Sequence, residues 1–83
     1  MKIYHISHSK PEEKEKNIEL WKELQENADY IKTTLSGDYL ITTLEYKDNK
    51  IYELNENMEY GIKSSIVEYT KEEYENYYIK ESE

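Results

Sequence analysis

The sequence lacks several residue types, and each absence excludes a class of chemistry. It has no cysteine, which excludes disulfide bonds and thiolate chemistry, and no arginine, the residue best suited to bidentate binding of phosphate. Only two glycines are present, and neither lies in the glycine-rich loop that dinucleotide-binding and phosphate-binding sites require. We therefore predict a protein without a cofactor.

Long apolar segments are also missing. No run approaches the roughly 18 apolar residues of a membrane-spanning helix, and the opening MKIYHISHSK lacks the features of a secretory signal. We therefore expect a cytoplasmic protein that does not bind membranes. The heavy use of Lys, Glu, Ile, Asn and Tyr is typical of AT-rich genes, such as those of low-GC bacteria and their phages. If a phage encodes the protein, its location would be the cytoplasm of the host cell.

The side chains that usually carry catalysis form no recognisable arrangement. His5 and His8 are the only imidazoles, and on a predicted strand and its exit they point to opposite faces, so we predict no metal site. No serine lies in a nucleophile motif. Adjacent acids such as Glu12 and Glu13 are expected on an exposed helix start, where solvent keeps both ionised. We predict no catalytic residues and no enzymatic activity.

Tyrosine and acidic residues dominate what is present. The chain has ten tyrosines and no phenylalanine, so tyrosine rings must supply much of the buried aromatic area. Nineteen Asp and Glu against eleven Lys give a net charge of −8, and residues 45–83 hold −6 of it. This charge repels phosphate and attracts basic surfaces, which predicts a basic protein partner and no direct binding to nucleic acid. A purely solubilising role is the alternative.

Periodicity predicts a single α+β domain over residues 1–83, with a mostly antiparallel sheet of three to five strands. The segment KIYHIS is a short first strand, and a long helix follows from about Lys10 to Ala28. We attribute the start of this helix to a capping box formed by Ser9 and Glu12. The predicted order of elements is β-α-β-β-β-(β)-α.

Two hairpins and a short helix complete the prediction. The turns are SGD and KDNK, and GIKSSIVEYT is a weaker strand candidate after the second hairpin. In the run IYELNENMEY, we expect Tyr52, Leu54, Met58 and Tyr60 to be buried, with the intervening residues on a wet, negative face. Because Glu56 breaks this alternation, the strand is expected to bulge or end there. A capping box of Thr70 and Glu73 then opens the C-terminal helix.

The late acidic residues and their neighbouring tyrosines are the candidate partner-binding set. Carboxylates two residues apart on a strand lie about 6.7 Å from each other, and those three or four apart on a helix lie at roughly 5 to 6 Å, a scale similar to nucleic-acid phosphates. Tyrosine is a rigid contact residue of the kind enriched at binding hot spots. The predicted set is Glu45, Asp48, Glu53, Glu59, Glu68, Glu72, Glu73, Glu75, Tyr52, Tyr60, Tyr69 and Tyr74.

Small size, acidity and the absence of a catalytic arrangement resemble, in general character, the phage-encoded inhibitors of restriction and CRISPR nucleases, some of which mimic DNA. The resemblance covers no motif. It implies a non-enzymatic inhibitor that binds the basic, nucleic-acid-binding groove of a host defence nuclease. Two alternatives stay open: an immunity protein or antitoxin that neutralises a cognate toxin, and a homodimeric structural or assembly module.

Overall fold

A five-stranded antiparallel sheet carries one helix on each face. The computed structural model describes the backbone of residues 1–81 and the side chains of residues 1–78. In chain order the elements are β1 (Lys2–His5), α1 (Pro11–Asn27), β2 (Tyr30–Ser36), β3 (Tyr39–Glu45), β4 (Lys50–Asn57), β5 (Ile62–Thr70) and α2 (Lys71–Glu81). The strand order is β1-β5-β4-β3-β2, so β1 and β2 are the edges. The predicted α+β class and order of elements are confirmed, with the weaker strand candidate present as β5.

The tight turns form where the sequence places residues that accept a left-handed backbone. Gly37, between β2 and β3, has φ of 60°, and Asn49, between β3 and β4, has φ of 66°. Both hairpins are therefore confirmed. The pairing of β4 with β5 shifts register between Asn55 and Glu56, which confirms the predicted bulge.

Of the two predicted capping boxes, one is present in the structure and the other is not. At α2, the Thr70 N–H donates to Glu73 Oε1 at 3.0 Å and the Glu73 N–H donates to Thr70 Oγ1 at 3.1 Å, which confirms this capping box. At α1, the predicted box of Ser9 and Glu12 is wrong, because Lys10 is the N-cap and makes no side-chain cap bond. Proline is favoured at the first helical position, so Pro11 sets the helix start one residue later than the capping pattern implied.

The face of the sheet beneath α1, the α1 face, holds the larger core. Ile6, Leu44, Leu54 and Ile66 are fully buried there, and Trp21 of α1 packs against them at 5% exposure. Each such aliphatic side chain contributes about 1.5 to 3 kcal/mol by leaving water. Most of the stability from apolar burial therefore lies on this face.

The opposite face, the α2 face, holds a smaller core of Ile51, Val67 and Tyr69, with Tyr74 of α2 packed against it. Glu53 lies on this face and is only 5% exposed, so the expectation of a wet face on β4 is wrong at this residue. The physical reason is that α2 folds back over β4 and β5. Met58 and Tyr60, expected to be buried, are 51% and 69% exposed because β4 ends at Asn57 and both residues lie beyond it.

Candidate protein-binding surface

One end of the sheet gathers exposed carboxylates from four different segments. Their positions follow from the topology, since the β3–β4 turn, the start of β2 and the start of α2 all lie at this end. We call this surface the acidic end and define it by five exposed residues: Asp29, Glu45, Asp48, Glu72 and Glu75.

Backbone hydrogen bonds hold these segments together. The Lys47 N–H donates to Asp29 Oδ2 at 2.9 Å, and the Asp29 N–H donates to the Glu45 carbonyl at 3.0 Å, which joins the start of β2 to the β3–β4 turn. The Lys71 N–H donates to the Asn49 carbonyl at 2.8 Å, which joins the same turn to α2. The acidic end is therefore built on a continuous, hydrogen-bonded backbone.

A shallow groove of about 700 Å³ runs between the β3–β4 turn and the first turns of α2. Its lining includes Asp48 and Lys50 on one side and Lys71, Glu72 and Glu75 on the other. Glu72 and Glu75 are three residues apart on a helix, which places their Cβ atoms about 5 to 6 Å from each other and their side chains on neighbouring parts of the helix surface. The groove is thus a concave surface bordered by carboxylates.

Lysines offset part of the charge of the acidic end: three of them beside five carboxylates leave a net charge of −2. Lys47, Lys50 and Lys71 are exposed beside the five carboxylates. Among residues 1–78, the ion pairs within 4.0 Å are Met1 ammonium with Glu73 and Lys63 with Glu56, and neither involves a carboxylate of the acidic end. These carboxylates are therefore available to an external partner.

Tyr46 directly follows β3 at the acidic end, and nearby carboxylates contribute to a shift in its pKa. Its hydroxyl donates to the Leu24 carbonyl of α1. Burial raises the pKa of Tyr46, and the neighbouring charges of Asp29 and Asp48, followed by Glu23, raise it further. The part of the shift that follows burial comes from these three carboxylates, because anions disfavour a second negative charge nearby.

Other predicted site residues have internal partners. On the α2 face, the Tyr78 hydroxyl donates to Glu53 Oε2 at 2.6 Å, and Tyr69 and Tyr74 pack beside it. Burial, followed by the hydrogen bond to Glu53, raises the pKa of both Tyr69 and Tyr78. These side chains fasten α2 to the sheet.

A similar arrangement is found on the α1 face, where two tyrosine hydroxyls donate hydrogen bonds to one carboxylate. Tyr52 and Tyr4 donate their hydroxyls to Glu68 Oε2 at 3.0 and 3.4 Å. Burial, and then the hydrogen bond to Glu68, raises the pKa of Tyr52. Tyrosine beside carboxylate is therefore used inside this fold as a donor and acceptor pair.

The predicted partner-binding set is divided among several places. Glu45, Asp48, Glu72 and Glu75 come together at the acidic end, and Glu73 lies beside them but is bonded to Met1 and Thr70. Glu59 and Tyr60 lie in the β4–β5 turn, at the opposite end of the sheet. The other members occupy the two faces: Glu53 and Tyr69 lie beneath α2, Tyr74 of α2 packs against them, and Glu68 and Tyr52 lie on the α1 face.

Sequence reasoning missed two residues of this surface. Asp29 belongs to the acidic end, and Tyr30 stands directly opposite Glu45 in the sheet at 61% exposure. Both lie in the first half of the chain, whereas the predicted set lies in the second half. The sequence did contain a signal, an adjacent Asp and Tyr at the start of a predicted strand. In an antiparallel hairpin the start of the first strand lies beside the end of the second, so this pair could have been placed next to Glu45.

Within the described part of the chain, no three His, Asp or Glu side chains are grouped so that they could hold a metal ion. Over those same residues, neither helix combines the length and the apolar composition needed to cross a membrane. No protein-family model, curated protein or solved structure matches this chain. Its function must therefore be inferred from the charge and geometry of the acidic end.

Proposed function

We propose that this protein is a non-enzymatic inhibitor that inserts its acidic end into the basic groove of a nucleic-acid-binding enzyme. The observation that supports the proposal is the gathering of five exposed carboxylates at one end of the sheet, none of them in an ion pair within 4.0 Å among residues 1–78. A groove that binds phosphates would meet there a group of anions on a hydrogen-bonded backbone.

The charge of the whole molecule assists the same encounter. A net charge of −8 attracts a basic groove over distances of about a Debye length, roughly 8 to 10 Å at physiological salt. Tyr30, exposed beside Glu45, supplies an aromatic contact at the edge of the acidic end. The partner class we propose is a host defence nuclease, the protein being a phage product that acts in the host cytoplasm.

The proposal is tested by capturing a partner from host lysate and removing charge from two different surfaces. One variant carries Asp48→Asn, Glu72→Gln and Glu75→Gln at the acidic end. The matched control carries three substitutions on exposed positions of α1 and has the same net charge: Glu12→Gln, Glu15→Gln and Glu19→Gln.

We expect the acidic-end variant to bind the captured partner about threefold to a hundredfold more weakly, because three exposed charge contacts at about 0.2 to 1 kcal/mol each are lost. The α1 variant should bind nearly as well as the unmodified chain. Binding should weaken steeply with salt, and a short DNA duplex should displace the protein from its partner.

Three results would contradict the proposal. Equal losses in both variants would show that only total charge matters. Affinity unchanged between low salt and 0.5 M salt would exclude an electrostatic contact. A captured partner that does not bind nucleic acid, such as a membrane-active toxin, would instead identify an immunity protein.

A further inference from the structure

The edge strand β2 is the most exposed element of the sheet. All seven of its residues are exposed, including Ile31 at 50% and Leu35 at 67%. The helices pack elsewhere, since α1 contacts β1 and β5 whereas α2 contacts β4 and β5. Among the strands of residues 1–81, β3 is the one to which β2 is hydrogen-bonded, so the other side of β2 is an edge of the sheet.

The backbone groups on this open edge belong to alternate residues. The two-residue turn after Ser36 makes Ser36 and Tyr39 a hydrogen-bonded pair, and the bonds to β3 then recur at every second residue. Ile31, Thr33 and Leu35 are the residues between these bonds. Their N–H and C=O groups therefore point away from the sheet, toward a further strand.

These three residues are arranged symmetrically about Thr33. An antiparallel copy of β2 centred there would pair Thr33 with its own counterpart and Ile31 with Leu35 of the other copy, in both directions. Each pair is a hydrogen-bonded one, because the outward-pointing groups meet. The same register sets Lys32 opposite a threonine, so no like charges face each other.

Charge also favours a second copy over other partners of this strand. Within Tyr30–Ser36 the only charged side chain is Lys32, although the chain carries −8 overall. The acidic neighbours Asp29 and Asp38 lie just beyond the two ends of the strand, where solvent screens them. Repulsion between the two acidic molecules is therefore confined to the two ends of the contact, where Asp29 of one copy lies near Asp38 of the other and both are exposed to solvent.

We propose that two copies of this chain associate through β2, centred on Thr33, to form a continuous ten-stranded antiparallel sheet with two-fold symmetry. The side chains of Ile31 and Leu35 lie on the α1 face beside Leu44 and Leu40, their partners on β3. In the dimer, Ile31 of one copy covers Leu35 of the other, which removes exposed apolar surface from water at both positions. The contact involves one strand from each copy, so its area is at the low end for specific interfaces and association is expected at micromolar concentrations.

The dimer leaves the groove between the β3–β4 turn and α2 free, since Asp48, Glu72 and Glu75 lie outside β2. Of the residues used in the proposed function, Tyr30 alone lies within the contact strand, opposite Ser36 of the other copy. Because the two copies of β2 run antiparallel, their acidic ends lie at opposite ends of the joined sheet. The dimer would thus present two independent acidic ends, and its formation does not depend on any basic partner.

Sedimentation equilibrium of the full chain, from micromolar concentrations up to about 1 mM, tests the proposal, with two disruptive variants and one control. Ile31→Lys places a charge in the contact. Thr33→Pro removes an N–H that points outward and so leaves the bonds to β3 intact. The control is Ile3→Lys on the other edge strand, which starts from the same residue type at nearly the same exposure, 46% against 50%.

We expect the unmodified chain and Ile3→Lys to dimerise equally. Ile31→Lys should raise the dimer dissociation constant at least about tenfold, because two half-exposed isoleucines per dimer are replaced by charges. Thr33→Pro should have a similar effect. Circular dichroism must show that each variant keeps the folded spectrum of the parent.

The proposal is overturned if the unmodified chain stays monomeric up to about 1 mM, since a contact that weak has no specific role. It is also overturned if Ile3→Lys weakens association as much as Ile31→Lys. If Ile31→Lys or Thr33→Pro is folded and dimerises like the parent, β2 is not the contact.

Discussion

The two faces of the sheet are stabilised in different ways. The α1 face is held by aliphatic packing, with four side chains fully buried beneath α1. Among residues 1–78, the α2 face has three buried core residues, and a carboxylate, Glu53, lies among its tyrosines. The rings of Tyr69, Tyr74, Tyr77 and Tyr78 contact one another there at centroid distances of 4.6 to 6.4 Å.

The difference between the faces shows how a small core changes when its aromatic residues are tyrosine instead of phenylalanine. A buried phenol brings a hydroxyl that needs a partner, and a buried carboxylate needs donors. Each supplies what the other lacks, and in residues 1–78 no buried side-chain nitrogen or oxygen is without a partner. Both faces contain such a pair, but on the α1 face Glu68 is only half-buried beside a core of fully buried aliphatic side chains, whereas on the α2 face the buried carboxylate Glu53 lies within the smaller core itself. Stability on the α2 face therefore depends more on hydrogen bonds, and stability on the α1 face more on packed volume.

The largest predicted effect is on the α1 face. Leu54→Ala should lower the free energy of unfolding by about 2 to 5 kcal/mol, because Leu54 is fully buried and its removal leaves a cavity. Urea denaturation followed by circular dichroism measures the change. Leu35→Ala is the control and should have a small effect in dilute solution, where the monomer prevails. Equal losses at the two leucines would contradict the placement of Leu54 in the core.

A smaller effect is predicted on the α2 face. Tyr78→Phe removes the hydroxyl that donates to Glu53 and should lower the free energy of unfolding by about 1 to 2 kcal/mol, since the buried carboxylate loses a donor. Tyr77→Phe is the matched control, on the same helix and 48% exposed. The same urea titration compares them. If Tyr77→Phe destabilises more than Tyr78→Phe, the hydroxyl is not what fastens α2.

The smallest effect concerns acid. The Met1 ammonium, followed by the Thr70 N–H, lowers the pKa of Glu73 from 4.5 to about 2. A carboxyl whose pKa is lower in the folded state adds stability above its unfolded pKa, and this contribution is lost as pH falls from about 4.5 toward 2. Amide exchange in the first turn of α2 should therefore quicken over that range more than in α1.

The matching variant is Glu73→Gln, which keeps the shape of the side chain but cannot ionise. Its first turn of α2 should exchange faster than in the parent near neutral pH and show less change between pH 5 and 2. An NMR titration of the Glu73 carboxyl checks the cause directly. A midpoint near 4.5 would contradict the contact with the ammonium.

Local signals in the sequence predicted most of the fold. The Thr70–Glu73 box and the turns at Gly37 and Asn49 depend on a few adjacent residues, so they could be found without knowing the tertiary structure. The capping box predicted at Ser9 is wrong because the helix begins at Pro11. The preference of proline for the first helical position is a second local signal, and it outweighed the capping pattern.

Residues whose environment depends on distant segments could not be placed. Alternation along β4 marks Glu53 as facing away from the aliphatic core, which is correct, but its burial depends on where α2 docks. Likewise, Asp29 and Glu45 become neighbours only through the pairing of β2 with β3. The sequence could therefore predict that an acidic surface exists, but not which residues form it.

The hydrogen bonds that pin the β3–β4 turn to the start of β2 and to α2 have a thermodynamic consequence for recognition. Backbone that is already ordered loses little conformational entropy when a partner closes over it, so only the side-chain rotamers of Asp48, Glu72 and their neighbours become restricted. Binding through this surface should therefore proceed nearly as a rigid-body association. Its enthalpy and its heat-capacity change should reflect the contact area alone, without a contribution from coupled folding.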